Sequence, residues 1–221
     1  DDFYITSNRL AVTETSFSVY NTSIYKGNVC PDCGVMYWVR SQVANRMATT
    51  AEEWVSTFAK YNSGTYNNQW IVVDYNKFTP REALRPGTLW IAEQFPGKIE
   101  LRDATKDLTY GYWPSYNVPS IPALFDYAGY PEAVKQQGWQ MNGYEKNVRG
   151  EIFRRDQATV TDIASFAHIM QYNSFKTDPI SEDDPVYTVA SRGDLLQTMP
   201  QCFGAVDAKI VNYDLMMGGY M

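Results

Sequence analysis

Near the start of the chain, two short segments rich in apolar residues, 3–5 and 10–15, flank a polar turn at 7–9. Strand-like segments joined by so short a turn predict a β-hairpin. Runs rich in β-branched and aromatic residues predict further strands at 69–75 and 88–92, and a shorter alternating segment predicts one at 98–101. A last strand is expected at 206–211.

Between the early strands, a period of three to four residues predicts helices. The first helix, over residues 36–48, is amphipathic, and its apolar face is formed by Val35, Trp38, Val39, Val43 and Met47. The second begins after Thr50, a candidate N-cap with Glu53 three residues later. Its apolar face holds Trp54, Phe58 and Tyr61. Strands and helices mixed in this way predict a layered α/β or α+β domain.

Two later segments also predict helices. Residues 131–137 form a short helix with a proline near its first turn, and residues 159–172 form a longer one. One side of the longer helix is mostly apolar and carries Val160, Ile163, Ala167, Met170 and Gln171. His168 lies at the edge of that side, where we expect a half-buried structural histidine rather than a catalytic one.

Composition and charge exclude several classes of function. The 221 residues suffice for one large domain or two small ones, and the net charge of −6 without any Lys/Arg cluster argues against nucleic-acid binding. A single histidine, His168, excludes a multi-His metal site. A transmembrane helix needs about 18 consecutive apolar residues, and no apolar run in the sequence approaches that length.

The cysteines indicate an oxidising compartment. Cys30 and Cys33 form a close CxxC pair, while Cys202 lies far away. A zinc site would need a second pair, which is missing, and a thioredoxin-like redox motif is a distant second choice, so we favour a local disulfide. Asn21 begins a glycosylation sequon in the same polar loop. Together these features predict a secreted or lysosomal glycoprotein.

The segment 112–119, with the sequence YWPSYNVP, holds one amide between two prolines. A rigidly held Asn117 would be a good oxyanion donor, because its NH2 group can be aimed at developing negative charge. The alternative is a turn asparagine that bonds its own backbone, and the residues alone favour that structural role.

Several segments together closely resemble the phospholipase B-like proteins of the N-terminal-nucleophile hydrolase superfamily. They are DDFYI at 1–5, VANR at 43–46, NSGTYNNQW at 62–70, YWPSYNVP at 112–119 and IFRRDQ at 152–157. The resemblance extends from Asp1 to about Leu215. It implies a four-layer α/β/β/α sandwich, incomplete in this chain, and a precursor that cleaves itself to expose a nucleophilic N-terminal cysteine. No cofactor or metal is implied.

The resemblance also assigns site residues. The family's site asparagine corresponds to Asn117, as an oxyanion donor. Its site arginine corresponds to Arg149, whose guanidinium would stabilise negative charge or hold a substrate head group. Its site threonine corresponds to Ser16, which keeps the hydroxyl and loses the methyl group.

The nucleophilic cysteine of the family lies before the position of Asp1, and Cys30, Cys33 and Cys202 do not match it. We therefore expect residues 1–221 to be one domain fragment, the central part of the nucleophile-bearing subunit. It would be held against other segments of the same precursor, including one that begins with cysteine, and would be inactive alone.

Two functions are compatible with this resemblance. One is a hydrolase of lipid ester or amide acyl bonds, completed by segments outside this chain. The other is a non-catalytic structural or binding glycoprotein in an extracytoplasmic assembly. The presence of both Asn117 and Arg149 favours the hydrolase, which is expected in the lysosome or secreted, while the choice between phospholipid and amide substrates stays open.

Overall fold

The computed structural model describes residues 3–196 of a chain that divides into two compact units, residues 1–150 and 151–221. The division falls in the first turn of a helix, α6, at Val148–Asp156. The expected strand at 206–211 and Cys202 lie outside the described residues. The assignment of the whole chain to one domain stays a prediction.

The first unit is built on a five-stranded antiparallel sheet whose strands lie side by side in chain order. The strands are β1 Phe3–Ile5, β2 Leu10–Ser16, β3 Asn68–Asp74, β4 Leu89–Phe95 and β5 Lys98–Asp103. The predicted hairpin at the start is therefore confirmed. The mixed helix and strand class is confirmed as well, and the all-antiparallel pairing makes it α+β. The four-layer sandwich stays a prediction.

Two helices, α1 at Tyr37–Met47 and α2 at Ala51–Phe58, pack on one face of this sheet. The aromatic rings of α2 meet those of β3: the Trp54 and Trp70 ring centroids lie 5.4 Å apart, and those of Phe58 and Trp70 lie 4.9 Å apart. All three side chains are fully buried. Large aromatic rings from one strand and one helix thus pack together in this core.

The apolar face expected for α1 is wrong. Trp38, Val43 and Met47 are 57%, 42% and 67% exposed, while the buried positions are Arg40, Ser41 and Ala44. The buried side of α1 combines two small residues, Ser41 and Ala44, with the long polar side chain of Arg40, and Ala44 belongs to the same core as the rings of α2 and β3. Periodicity identified the helix correctly and assigned the wrong side of it to the core.

Arg40 is buried because its guanidinium satisfies four polar groups at the end of the sheet. Nε donates to the Val35 carbonyl at 2.8 Å, Nη1 to the Phe58 carbonyl at 2.6 Å and Nη2 to Gln94 Oε1 at 2.5 Å. A longer contact joins Nη2 to Ser63 Oγ at 3.5 Å. Burial lowers the pKa of the guanidinium to about 10, so it stays charged at neutral pH.

The start of α2 is capped as the sequence predicts, with one change. The Thr50 side chain accepts a hydrogen bond from the Glu53 backbone N–H, but the Glu53 carboxylate returns to the backbone N–H of Thr49, at 2.8 Å, rather than to that of Thr50. Tyr61 does not share the buried face, because α2 ends at Phe58 and Tyr61 is 73% exposed.

The remaining helices follow the sheet in the chain. They are α3 Pro122–Tyr127, α4 Tyr130–Gln137, α5 Trp139–Asn142, α6 and, in the second unit, α7 Ile163–Met170. The helix predicted at 131–137 is confirmed. The longer predicted helix is shorter than expected, and its apolar side is wrong: Ile163 is 87% exposed and Ile169 is buried instead. His168 is exposed rather than half-buried, so its side chain is not part of a core.

One buried carboxylate joins several segments of the second unit. Asp178 accepts hydrogen bonds from Arg155 Nη1 at 2.9 Å, from the Tyr172 hydroxyl at 2.7 Å and from the Ile180 backbone N–H at 3.0 Å. These bonds outweigh the desolvation of the carboxyl group and lower its pKa. Arg155 and Asp178 thus form an ion pair inside the second unit.

Cys30 and Cys33 form a disulfide in an exposed loop of the first unit. The chain on either side is anchored independently: Val29 packs against Gly64, and the Val35 backbone N–H donates to the Tyr61 carbonyl at 2.8 Å. Among residues 3–196, no group of three His, Cys, Asp or Glu side chains could hold a metal ion. The disulfide closes a short surface loop between two fixed points.

The Arg40→Lys change should lower the free energy of unfolding by about 2–4 kcal/mol, because an ammonium cannot reach all the groups that the guanidinium satisfies. Urea unfolding followed by tryptophan fluorescence measures this. Arg46→Lys on the exposed side of the same helix is the matched control and should change stability by less than about 0.5 kcal/mol. Equal effects of the two changes would contradict the structural role of Arg40.

The paired Cys30→Ser and Cys33→Ser changes should cost no more than about 2 kcal/mol of stability, since the loop is short and both its ends are held by other contacts. Thermal unfolding of the native and substituted proteins provides the comparison. Mass analysis after alkylation should find no free thiol at either position in native protein. Stoichiometric zinc, or two free thiols, would show the disulfide assignment to be wrong.

Candidate active site

The loop at 112–120 lies against the end of the sheet and is fastened along its length. At its start, Trp113 Nε1 donates to Gln69 Oε1 at 3.1 Å, and the hydroxyls of Thr15 and Ser115 lie 2.5 Å apart. At its end, Ser120 donates from its backbone N–H and from its hydroxyl to Glu93 Oε1, both at 2.7 Å. The loop is thus tied to three adjacent strands, β2, β3 and β4.

Glu93 is a fully buried carboxylate, and its four hydrogen-bond donors explain why it is tolerated there. Besides Ser120, Gln69 Nε2 donates to Oε1 at 2.7 Å and the Ile121 backbone N–H donates to Oε2 at 3.2 Å. Burial raises the pKa of the carboxyl group, and the hydrogen bonds oppose that rise. This carboxylate fixes the end of the loop to the sheet.

Asn117 lies in the middle of the loop in the left-handed backbone region, with φ of 65°. Its side-chain Nδ2 donates to the Ser16 carbonyl at 2.6 Å and makes a longer contact of 3.4 Å with Ser16 Oγ. Its Oδ1 accepts from Arg149 Nη1 at 2.6 Å. The amide is therefore held at both ends, by β2 on one side and by the start of α6 on the other.

Arg149 donates hydrogen bonds to two consecutive residues of the loop. Besides the bond from Nη1, its Nη2 donates to the Tyr116 carbonyl at 2.6 Å. Gly150 brings the helix close to the loop, because a Cβ at that position would lie only 3.0 Å from the Tyr116 ring. Burial lowers the pKa of the guanidinium to about 10, so it is charged at neutral pH. Its Nε has no hydrogen-bond partner among the described residues.

These contacts determine which way the Asn117 amide points. A guanidinium can only donate and a backbone carbonyl can only accept, so Oδ1 must face Arg149 and NH2 must face Ser16. The opposite orientation would place a donor against a cation and an acceptor against a carbonyl oxygen. The positive charge beside Oδ1 also polarises the amide and makes its NH2 a stronger donor.

The structure brings together the three residues assigned through the family resemblance, Ser16, Asn117 and Arg149. Ser16 takes part mainly through its backbone carbonyl, since its hydroxyl lies at the longer distance of 3.4 Å. Asn21 is exposed in another loop, where its Oδ1 accepts a hydrogen bond from Ser23 Oγ at 2.6 Å. Cys30 and Cys33 take no part in the contacts that hold Asn117.

Sequence reasoning missed Glu93 and Gln69, which hold the loop that carries Asn117. Their signal was present in the chain: a carboxylate and an amide occupy strand positions that are otherwise apolar. Glu93 follows the run WIA, and Gln69 precedes the run WIVV. Buried polar residues in such runs require partners, and here they partner each other and the loop.

The arrangement offers a donor to negative charge and holds no nucleophile of its own among the contacts described. Asn117 Nδ2 carries two N–H groups, and among the described residues it bonds the Ser16 carbonyl and makes only a long contact with Ser16 Oγ. One N–H is therefore left without a short hydrogen bond and can donate to an oxygen atom that enters from outside while the amide stays in place. A polarised, fixed amide with one available N–H has the chemistry of an oxyanion site.

Comparison of the sequence with known proteins identifies the family to which this chain belongs. The Phospholipase B family model matches residues 1–219. The chain is 43% identical to human Phospholipase B-like 1 over 212 residues, and 41% identical to Phospholipase B of Crotalus adamanteus over 215 residues. It is 40% identical to Phospholipase B-like protein G of Dictyostelium discoideum over 228 residues. The chain therefore belongs to the phospholipase B family.

These matches cover nearly all of this chain and a minor part of each relative. They include 96–98% of the chain and 38% of the length of each of the three relatives. Within residues 3–196, no helix is long and apolar enough to cross a membrane. Because most of each relative lies outside the matched region, the activity of the full-length relatives is attributed to this chain only as a proposal.

Glu93→Gln should lower the free energy of unfolding by about 1–3 kcal/mol, because one amide N–H must then face the backbone N–H of Ser120 or Ile121. The control is Glu100→Gln, the same change at the exposed position that pairs with Glu93 on β5. It should be neutral within about 0.5 kcal/mol. Chemical unfolding of the two variants tests this, and equal stabilities would contradict the anchoring role.

Proposed function

We propose that this chain forms the oxyanion-supporting part of a phospholipase B-like acyl hydrolase. The single observation that carries the proposal is the fixed orientation of the Asn117 amide between the Arg149 guanidinium and the Ser16 carbonyl. A merely structural turn asparagine would bond its own backbone. Asn117 instead bonds groups 101 and 32 residues away in the chain, which favours a functional role.

The proposed reaction is acyl transfer to a cysteine that lies outside this chain. The α-amino group of that N-terminal cysteine takes the thiol proton, which suits its pKa near ~8. The sulfur attacks the substrate carbonyl carbon, and the carbonyl π electrons move to oxygen. Collapse of this oxyanion expels an alcohol or amine, which takes the proton from the α-ammonium group. Water then attacks the thioester, releases the acid and restores the thiol.

Within this reaction, Asn117 donates its available N–H to the oxyanion. Arg149 holds the amide, and its charge stabilises negative charge nearby without being neutralised by an acidic side chain, since no ion pair to it is found in residues 3–196. Ser16 completes the site through its carbonyl and hydroxyl. The substrate is a lipid ester or an amide, and other segments of the same precursor supply the nucleophile.

The proposed location is the lysosome or the outside of the cell. The disulfide between Cys30 and Cys33 supports it, because such bonds persist in oxidising compartments. The exposed sequon also supports it, since Asn21 is accessible for glycosylation. The alternative, a non-catalytic glycoprotein of an extracytoplasmic assembly, shares both features. It differs in predicting that the protein has no hydrolase activity for a change at Asn117 to reduce.

Asn117→Asp in the full-length protein should lower kcat about 10²–10³-fold, the usual loss for one oxyanion donor. Aspartate fits the left-handed backbone and pairs with Arg149, but it presents a carboxylate oxygen to the oxyanion. Release of fatty acid from phosphatidylcholine micelles and of amine from an N-acyl amide measures the two substrate classes. Circular dichroism confirms folding. A folded variant with wild-type turnover would show the proposed function to be wrong.

Ser16→Ala should reduce kcat by less than about tenfold, well below the loss at Asn117, because the backbone carbonyl that receives the shorter bond remains. Ser16→Thr restores the hydroxyl and should retain activity. Steady-state kinetics of the two variants separate the contributions of the hydroxyl and the carbonyl. A loss at Ser16→Ala as large as that at Asn117→Asp would mean that the hydroxyl itself contacts the reacting atoms.

A further inference from the structure

We propose that Tyr130 is a positioning residue that fixes the backbone of Asn117, so that the amide donor meets the oxyanion at the right place. The inference rests on the proposed function and assigns a role to a residue that the family resemblance does not point to. Tyr130 is the first residue of α4, thirteen positions after Asn117. It is 1% exposed, so substrate does not reach it.

The Tyr130 hydroxyl joins the two segments that meet at the site. It donates to the Asn117 carbonyl at 3.0 Å and accepts from the Ser18 backbone N–H at 3.2 Å. Ser18 lies two residues after Ser16, whose carbonyl receives the Asn117 amide. The same stretch after β2 is thus bonded to Asn117 through the side-chain amide and, by way of Tyr130, through the main chain.

Asn117 needs this restraint because its backbone is in the left-handed region. A non-glycine residue in that region is strained, and it persists there when its surroundings determine it. The Arg149 and Ser16 bonds fix the amide, but the amide can only point where the Cα–Cβ bond allows. By bonding the Asn117 carbonyl, Tyr130 fixes the peptide plane between Asn117 and Val118, and this plane restrains the direction of the Cα–Cβ bond.

The ring of Tyr130 is held so that its hydroxyl cannot turn away. Tyr20 meets it edge-on with centroids 5.0 Å apart, and Phe125 lies 5.1 Å away on the neighbouring helix α3. Burial raises the pKa of the phenol far above its usual range. The hydroxyl therefore keeps its proton and donates to the Asn117 carbonyl at any pH at which the enzyme would work.

The experiment compares Tyr130→Phe with Tyr20→Phe in the full-length protein. Both changes remove one phenolic hydroxyl from adjacent packed rings, but the Tyr20 hydroxyl donates to Asn142 Oδ1 and does not touch Asn117. Hydrolysis of a soluble p-nitrophenyl acyl ester gives kcat and KM. Each change is also made together with Asn117→Gly, because glycine accepts the left-handed backbone and removes the amide.

We expect Tyr130→Phe to lower kcat about tenfold with KM within about twofold, since a small displacement of a catalytic donor lowers the rate more than it weakens binding. Tyr20→Phe should keep wild-type kcat. In the Asn117→Gly background, Tyr130→Phe should cause no further loss, because the group that it positions is gone. Replacing Tyr130 with p-aminophenylalanine, which keeps a donor at the same place, should restore kcat to within about threefold of wild type.

Several results would overturn the proposal. They are wild-type kcat for Tyr130→Phe, equal losses at Tyr130 and Tyr20, or the same tenfold loss in the Asn117→Gly background. Should the phenylalanine variant not fold, a folded p-aminophenylalanine variant with low kcat would also overturn it. An impaired Asn117→Gly with an unimpaired Tyr130→Phe refutes only this inference, whereas a fully active Asn117→Gly refutes the proposed function itself.

Discussion

The site depends on one forked interaction, in which Arg149 donates to Asn117 Oδ1 and to the Tyr116 carbonyl. Both bonds come from a charged donor and are short, so they are stronger than bonds between neutral groups. They fix the backbone of the loop at one residue and the side chain of the next. With the guanidinium in place, only one orientation of the Asn117 amide satisfies its neighbours. Everything proposed about the chemistry of this chain follows from that orientation.

A second constraint supports the first. Arg149 can fix the middle of the loop at 112–120 only if the two ends of that loop are fixed as well. Glu93 and Gln69 provide this from the sheet, where they are cross-strand partners on β4 and β3. Both are buried, and each joins the other and one end of the loop. An apolar pair at the same positions would remove the desolvation cost of the carboxylate. It would also leave the loop without its anchors, so the polar pair serves to specify the loop position.

The sequence predicted the elements better than it predicted their faces. The hairpin, the positions of the strands β3 to β5 and the Thr50 cap follow from local patterns that act within a few residues. The buried side of α1 did not follow, because the helix lies against rings already packed between α2 and β3 and buries Arg40 and Ala44 instead of Trp38. For α1, the shape of the neighbouring elements decided which side faces the core, and periodicity carries no information about that shape.

The candidate site divides in the same way. Resemblance to the family identified Ser16, Asn117 and Arg149, but no local rule could pair residues 101 and 32 positions apart. Glu93, Gln69 and Tyr130 went unnoticed because a strand or helix pattern treats buried positions as apolar packing. Their polar atoms matter through the donors and acceptors they meet, and those are known only once the fold has brought them together.

The contacts that fix Asn117 all lie within the first unit, residues 1–150. In the proposed reaction, the donor is therefore set before any substrate or nucleophile arrives, and it needs no reorganisation. An oxyanion donor contributes most when its direction is fixed in advance in surroundings of low polarity. In the proposed reaction the nucleophile has the opposite requirement, since an N-terminal cysteine would have to be freed by cleavage before its α-amino group could act as a base. A rigid donor supplied by this chain and a nucleophile freed in another segment of the proposed precursor are thus compatible demands on a single fold.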